Sequence, residues 1–196
     1  MKKCLFVFTL IFVMALAVSA QATFTVITCP CEGCPEGVTY QFFTVDQSNV
    51  YNGSKYTLTF TDFGVASDYS SLAVSGGVLA DRVLDTTYTF NSVIKTFSGY
   101  FDFTPGGAGT GIDVYADGNF VGSILNPVSG TFVGFWGFAS TVPFTTVQFV
   151  QDGQVGSFET YNANYIAYCP APIPGSLLLL GSGVLGLVGI GVRRRS

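Results

Sequence analysis

Cys29-Pro30-Cys31-Glu32-Gly33-Cys34 brings three thiols close together near the start of the chain, and a fourth, Cys169, stands far along it. An even set of thiols in an oxidising compartment reads first as two disulfides, and four cysteines allow three pairings. One bridge from the cluster to Cys169 would close a loop of about 135–140 residues and restrict the unfolded chain by roughly 4–5 kcal/mol. Two sharper readings compete. Four thiolates could hold a metal ion, although the spacing is not the paired CxxC of zinc ribbons. Cys31 and Cys34 could form a redox pair, although no helix N-terminus is signalled there to lower a thiol pKa.

The chain has no histidine, which removes Ser-His-Asp and Cys-His catalysis, His-containing zinc sites and an imidazole proton switch. Carboxylates are the remaining acid–base groups: Asp102, Asp113, Asp117, Asp152 and Glu159. A glycoside hydrolase would need two of them about 5–9.5 Å apart. Asp117 and Asp152 precede glycines, however, and are explained first as turn formers. Calcium held by loop carboxylates and carbonyls ranks second, since no DxDxDG-like loop is present, and catalysis ranks last. The expectation is a non-enzymatic protein with no cofactor, calcium being the one ion considered.

Aromatic side chains are the other chemistry-bearing set. Phe132, Phe135, Trp136 and Phe138 crowd one segment, and Tyr161, Tyr165 and Tyr168 another. Sugar-binding modules use exposed aromatic faces, so Trp136, Tyr161 and Tyr165 are the candidates for holding a glycan. The plainer role is packing: with Phe 19 and Tyr 10 in the chain, rings must supply much of the core. Asn52-Gly53-Ser54 fits a glycosylation sequon and, more simply, a turn.

The elements that must position these residues are strands. Lys55 to Thr61, Gly111 to Ala116, Phe120 to Leu125 and Thr145 to Gln151 alternate apolar and polar side chains at period two. Breakers such as Asn52-Gly53, Gly76-Gly77, Asp117-Gly118, Asn126-Pro127 and Asp152-Gly153 fall between them. Asp117-Gly118 is the strongest hairpin signal, because a type I′ turn needs two positive-φ residues. Some nine to eleven short strands at this spacing predict an all-β fold, a two-layer antiparallel β-sandwich. Charged residues make up 10% of the chain, against about 25% for an average soluble domain, which argues against a helical bundle.

Both ends read as targeting segments. Lys2 and Lys3, an apolar run from Leu5 to Val18 and the small-residue exit Ser19-Ala20-Gln21-Ala22 form a signal peptide over 1–22, cleaved after Ala22 or, alternatively, after Ala20. Cys4 is too early, and Cys29 lacks the preceding residues, for lipid attachment. Residues 171–196 hold Pro172-Ile173-Pro174-Gly175, an uncharged stretch from Ser176 to Val192, and Arg193-Arg194-Arg195. That stretch as a transmembrane helix over 176–192 spans roughly 26 Å, enough for a thin bilayer, with the arginines on the cytoplasmic side. The exported domain over 23–170 sets twelve acids against Lys55, Arg82 and Lys95. So acidic a surface argues against nucleic acid and against docking on polyanions by charge.

A Pro-x-Pro motif, a Leu- and Gly-rich helix and a terminal arginine cluster resemble the PEP-CTERM sorting tail of Gram-negative, biofilm-forming bacteria. The match runs from Pro172 to Arg195, with Ile173 where the family carries glutamate. The resemblance implies recognition of Pro172, Ile173, Pro174, Gly175, Arg193, Arg194 and Arg195 by exosortase, a membrane protease-transpeptidase. It implies an inner-membrane-anchored precursor and then export to the cell surface or the extracellular polysaccharide matrix. Residues 97–168 are similar to a segment common in exported β-sandwich proteins with this tail, in Phe97 to Phe103, Ile112 to Gly118, Phe132 to Phe135 and Tyr161 to Tyr165. Such domains are similar to jelly-roll modules of lectins and carbohydrate-binding proteins. The functional expectation is a non-enzymatic surface or matrix protein, with a carbohydrate-binding module as the alternative and a glycoside hydrolase as the second alternative.

Overall fold

The computed structural model describes residues 21–34, 37–69, 72–81, 85–104, 111–125, 132–151 and 161–171. The expected signal-peptide core, the tail from Pro172 to Arg195 and the residues Asp152 and Glu159 lie outside them. Among the described residues no helix is long and apolar enough to cross a membrane.

Thirteen strands follow one another: β1 (Phe24–Val26), β2 (Thr39–Phe42), β3 (Gln47–Ser48), β4 (Val50–Tyr51), β5 (Tyr56–Phe60), β6 (Gly64–Asp68), β7 (Leu72–Ser75), β8 (Val78–Asp81), β9 (Thr87–Asp102), β10 (Gly111–Ala116), β11 (Asn119–Leu125), β12 (Val133–Gln151) and β13 (Tyr161–Pro170). Every pairing is antiparallel. The strand number exceeds the expected nine to eleven because β3 and β4 are two-residue pieces, too short to carry a periodic signal.

Two long strands make one hydrogen-bonded sheet into a sandwich. β9 has 16 residues and β12 has 19, and their mutual register breaks between Ala139 and Phe144 and again before Thr146. Such bulges bend a strand and raise its twist. On one side of the break, Thr146 to Gln148 pair with Thr87 to Thr89, within the layer β4-β5-β6-β9-β12-β10-β11. On the other, Val133 to Ala139 pair with Thr96 to Asp102, within the layer β1-β12-β9-β13. There β2 and β8 share the far side of β13, and β7 and β3 follow β8.

Rings fill the space between the layers. Phe149 packs on Phe101 and Tyr161 with centroids 5.4 Å away in each case, Tyr88 on Phe97 at 5.6 Å, and Phe90 on Tyr168 at 5.2 Å. All seven are buried, each ring worth about 1.5–3 kcal/mol on leaving water. The short strands obey their pattern: in β10, Ile112, Val114 and Ala116 are buried while Asp113 and Tyr115 are half-exposed.

The expected hairpin at 117–118 forms. Asp117 has φ 44° and Gly118 φ 77°, joining Ala116 to its partner Asn119 through a two-residue turn. The Asp117 carboxylate also accepts hydrogen bonds from Thr146 N and Thr146 Oγ1, both at 2.8 Å, fastening the hairpin to β12. Asn52 takes the turn role as well, its Oδ1 accepting from Lys55 N at 2.9 Å.

Candidate functional site: an aromatic row on the outer face

Strand parity sorts the aromatic residues into two populations. On β9, Phe97 and Phe101 point into the core and Tyr100 faces out, 38% exposed. Its partner on β13 is Tyr165, whose partner on β2 is Phe42, and its partner on β12 is Phe135. Phe42, Tyr165, Tyr100 and Phe135 thus form one cross-strand row over four adjacent strands. Tyr40 flanks it: its ring stacks with Phe42 at 5.8 Å and meets Tyr165 edge-on at 5.8 Å, while Phe42 lies 5.8 Å from Tyr165. Phe42 is 55% and Tyr40 45% exposed; Tyr165 and Phe135 are half-buried.

Both borders of the row have a structural cause. On one side the Cys29–Cys34 segment lies over Thr96 and Ala139. A Cβ on Gly33, where φ is 76°, would stand 3.2 Å from Ala139 Cβ and 3.4 Å from Thr96 Cγ2. The Cys34–Cys169 disulfide holds the segment there, with Cα atoms 5.6 Å apart across 135 residues of sequence. Cys29 pairs with Cys31, so the two-disulfide reading holds and the pairing left open in the sequence is set. Such bonds belong to an oxidising compartment. On the other side the next register positions are Asp102 and Asn162, which face each other across β9 and β13.

Burial pushes the Tyr165 phenol above its ordinary pKa, and the neighbouring Tyr40 and Tyr100 phenols push it further. It stays protonated at neutral pH as a hydrogen-bond donor beside an apolar ring face. Ring faces with hydroxyls at their edges suit a ligand that is apolar on one face and rich in hydroxyls at its rim.

The three sequence candidates separate. Tyr165 is on the row. Tyr161 is fully buried, its hydroxyl hydrogen-bonded to that of Tyr88, and belongs to the core. Trp136 is half-buried and packs inward on Phe138 with centroids 5.9 Å apart. The reason is parity. Trp136 shares a face with Phe138, and an irregularity between Ala163 and Tyr165 puts Tyr161 and Tyr165, four positions apart, on opposite faces. The row also holds Tyr40, Phe42 and Tyr100, which are not among those candidates; Tyr100 sits out of phase with Phe97, Phe101 and Phe103, a signal readable in the sequence.

The carboxylates go into local structure. Asp102 accepts from Thr104 N at 2.8 Å, Asp113 from Ser123 Oγ, and Asp117 from β12 as described. Among the described residues no group of three or more His, Cys, Asp or Glu is arranged to hold a metal ion. A groove of about 460 Å³, lined by Gln47, Ser48, Val50, Asn52 and Thr57 to Thr59, lies against β3, β4 and β5 and includes no residue of the aromatic row.

No family model and no curated protein sequence matches the chain. Among solved structures it is similar to the CBM51-2 and INT domains from Clostridium perfringens ZmpB, at 10% identity and a TM-score of 0.39 over 68% of this chain. It is also similar to CBM51-2 in complex with GlcNAc and the INT domains of the same protein, at 11% identity and a TM-score of 0.39 over 70% of this chain. The chain spans 30% of the length of each of these structures.

Proposed function

We propose that this protein is a non-enzymatic, exported component of the extracellular polysaccharide matrix that holds glycan on its outer aromatic row. The observation that carries this reading is the alignment of Phe42, Tyr165, Tyr100 and Phe135 across four strands with Tyr40 beside them. Exposed rings in such number are costly to leave in water unless a partner covers them. Export follows from the signal peptide over 1–22 and suits two disulfides. The tail over 171–196 holds the precursor in the inner membrane until an exosortase-type protease acts at the Pro172-Ile173-Pro174 segment. The sandwich is jelly-roll-like in this reading, since β9 lies between β12 and β13 and so between strands distant in sequence.

The test is retention of the full chain, in detergent, on immobilised exopolysaccharide from a biofilm-forming host. Wild type is expected to be retained, and the Phe42→Ala/Tyr165→Ala variant to pass through. Equal retention of the two would remove the aromatic row from the function.

A further inference from the structure

The row has a direction and two open ends, and these restrict what can lie on it. It runs perpendicular to the strands, from β2 through β13 and β9 to β12. Beyond Phe42 no described strand pairs with the outer side of β2, and on β12 the pairing of β1 with Phe138 to Ser140 is extended by Ile27 N donating to Gly137 O, two residues short of Phe135. With strands about 4.8 Å apart, three gaps give a track of about 14 Å. The spacing between neighbouring strands, not the whole track, is close to the length that one sugar adds to an extended pyranose chain, so successive rings meet successive sugars.

Charge restricts the ligand further. The described basic residues are Lys55 and Lys95. Lys55 sits 4.4 Å over the Tyr69 ring, and neither lysine occupies a register position of the row. The charged residue bordering the row is Asp102, a carboxylate. A polyuronate or sulfated chain would meet that charge, and the acids of the whole domain, with no cation in the row to offset them.

Resting on the glycan-binding reading above, we infer that the ligand is a neutral, equatorially linked polysaccharide, such as a β-1,4-glucan, lying across the strands with about three to four sugars on the row. A ribbon-like chain of this linkage presents flat C–H faces at regular intervals. A coiled α-linked chain does not, and a single sugar covers one ring of the row.

The test is a binding series on the full chain with β-1,4-linked gluco-oligosaccharides from di- to hexasaccharide, with oligomannuronate as the acidic probe. Affinity is expected to rise at least about tenfold from di- to tetrasaccharide and then level off. Phe135→Ala, at the far end of the row, should lower tetrasaccharide affinity about tenfold or more and leave disaccharide affinity within about twofold. Oligomannuronate should bind at least about tenfold more weakly than the neutral chain at low salt. Length-independent binding, no effect of Phe135→Ala on tetrasaccharide affinity, or equal binding of oligomannuronate overturns the inference and leaves the glycan-binding reading standing. Binding to neither oligosaccharides nor exopolysaccharide overturns both. Sedimentation showing a dimer that Phe42→Ala dissociates would instead assign the face to a second copy of the chain and overturn the inference.

Discussion

The hydroxyls of Tyr88 on β9 and Tyr161 on β13 share a hydrogen bond inside the apolar core, and neither residue has measurable exposure. Tyr88 belongs to the part of β9 that pairs with β6, and Tyr161 to the part of β13 that pairs with β8. The bond therefore ties the two layers together with a directional contact. Tyr161→Phe is expected to cost about 1 kcal/mol, and Tyr88→Phe about the same. The double variant should cost less than the sum by at least about 0.5 kcal/mol. Urea denaturation of the four proteins checks it, and strict additivity would mean that the two hydroxyls are not coupled.

The disulfides should contribute unequally. Cys34–Cys169 closes 135 residues, whereas Cys29–Cys31 closes a separation of 2. Replacing Cys34 and Cys169 by Ala is expected to destabilise the domain by about 2–5 kcal/mol, and replacing Cys29 and Cys31 by markedly less. Denaturation midpoints of the two double variants under oxidising conditions decide it. Equal losses would contradict the loop-closure account.

Strand class and turn positions were legible because alternation and Gly-marked turns are local properties, as β10 and the Asp117-Gly118 hairpin illustrate. The two-layer arrangement followed from strand number and spacing. The candidate aromatic face was only partly legible, because a side chain's face depends on parity, and parity changes at each irregularity. Tyr161 and Tyr165 have the same parity in sequence yet lie on opposite faces, and the half-buried Trp136 packs toward the core while its neighbour Phe135 pairs with the outward Tyr100. The exposed Tyr40 and Phe42 sit on a four-residue strand, too short for alternation to stand out. Disulfide pairing depended on the distance between Cys34 and Cys169, which no spacing rule supplies.

Asp85 gives a pH dependence of stability. Burial raises its pKa above the ordinary 3.8, Asp68 raises it further, and Lys55 opposes the two. The folded chain therefore holds this proton more tightly than the unfolded chain. The stability contributed by the proton is fully present below the unfolded value and is lost as pH rises through the folded one. Asp85→Asn should raise the melting temperature at neutral pH, and the gain should shrink toward about pH 4. A gain that grows on acidification would contradict the direction of the shift.

The proposed sorting role of the tail separates from simple anchoring. Replacing Pro172-Ile173-Pro174 with Ala-Ala-Ala should leave the protein inserted but uncleaved in the membrane fraction, since prolines keep the segment extended and open to a protease. Replacing Arg193, Arg194 and Arg195 with Ser should first disturb retention and orientation. Cell fractionation with mass analysis of the C-terminus distinguishes the two. A proline variant that reaches the matrix at normal size and amount would reduce the motif to a linker.

In the proposed function, glycan lies on the outer row and not in the groove at β3 to β5 or on the inward Trp136. Aromatic-ring and backbone NMR spectra of the full chain, titrated with a β-1,4-linked hexasaccharide, test it most directly. Saturable shifts of the Phe42, Tyr100, Phe135 and Tyr165 rings are expected, with the Trp136 indole and the amides of Thr57 to Thr59 unmoved. Shifts confined to Trp136 or to Gln47, Asn52 and Thr57 to Thr59, with the row silent, would contradict it.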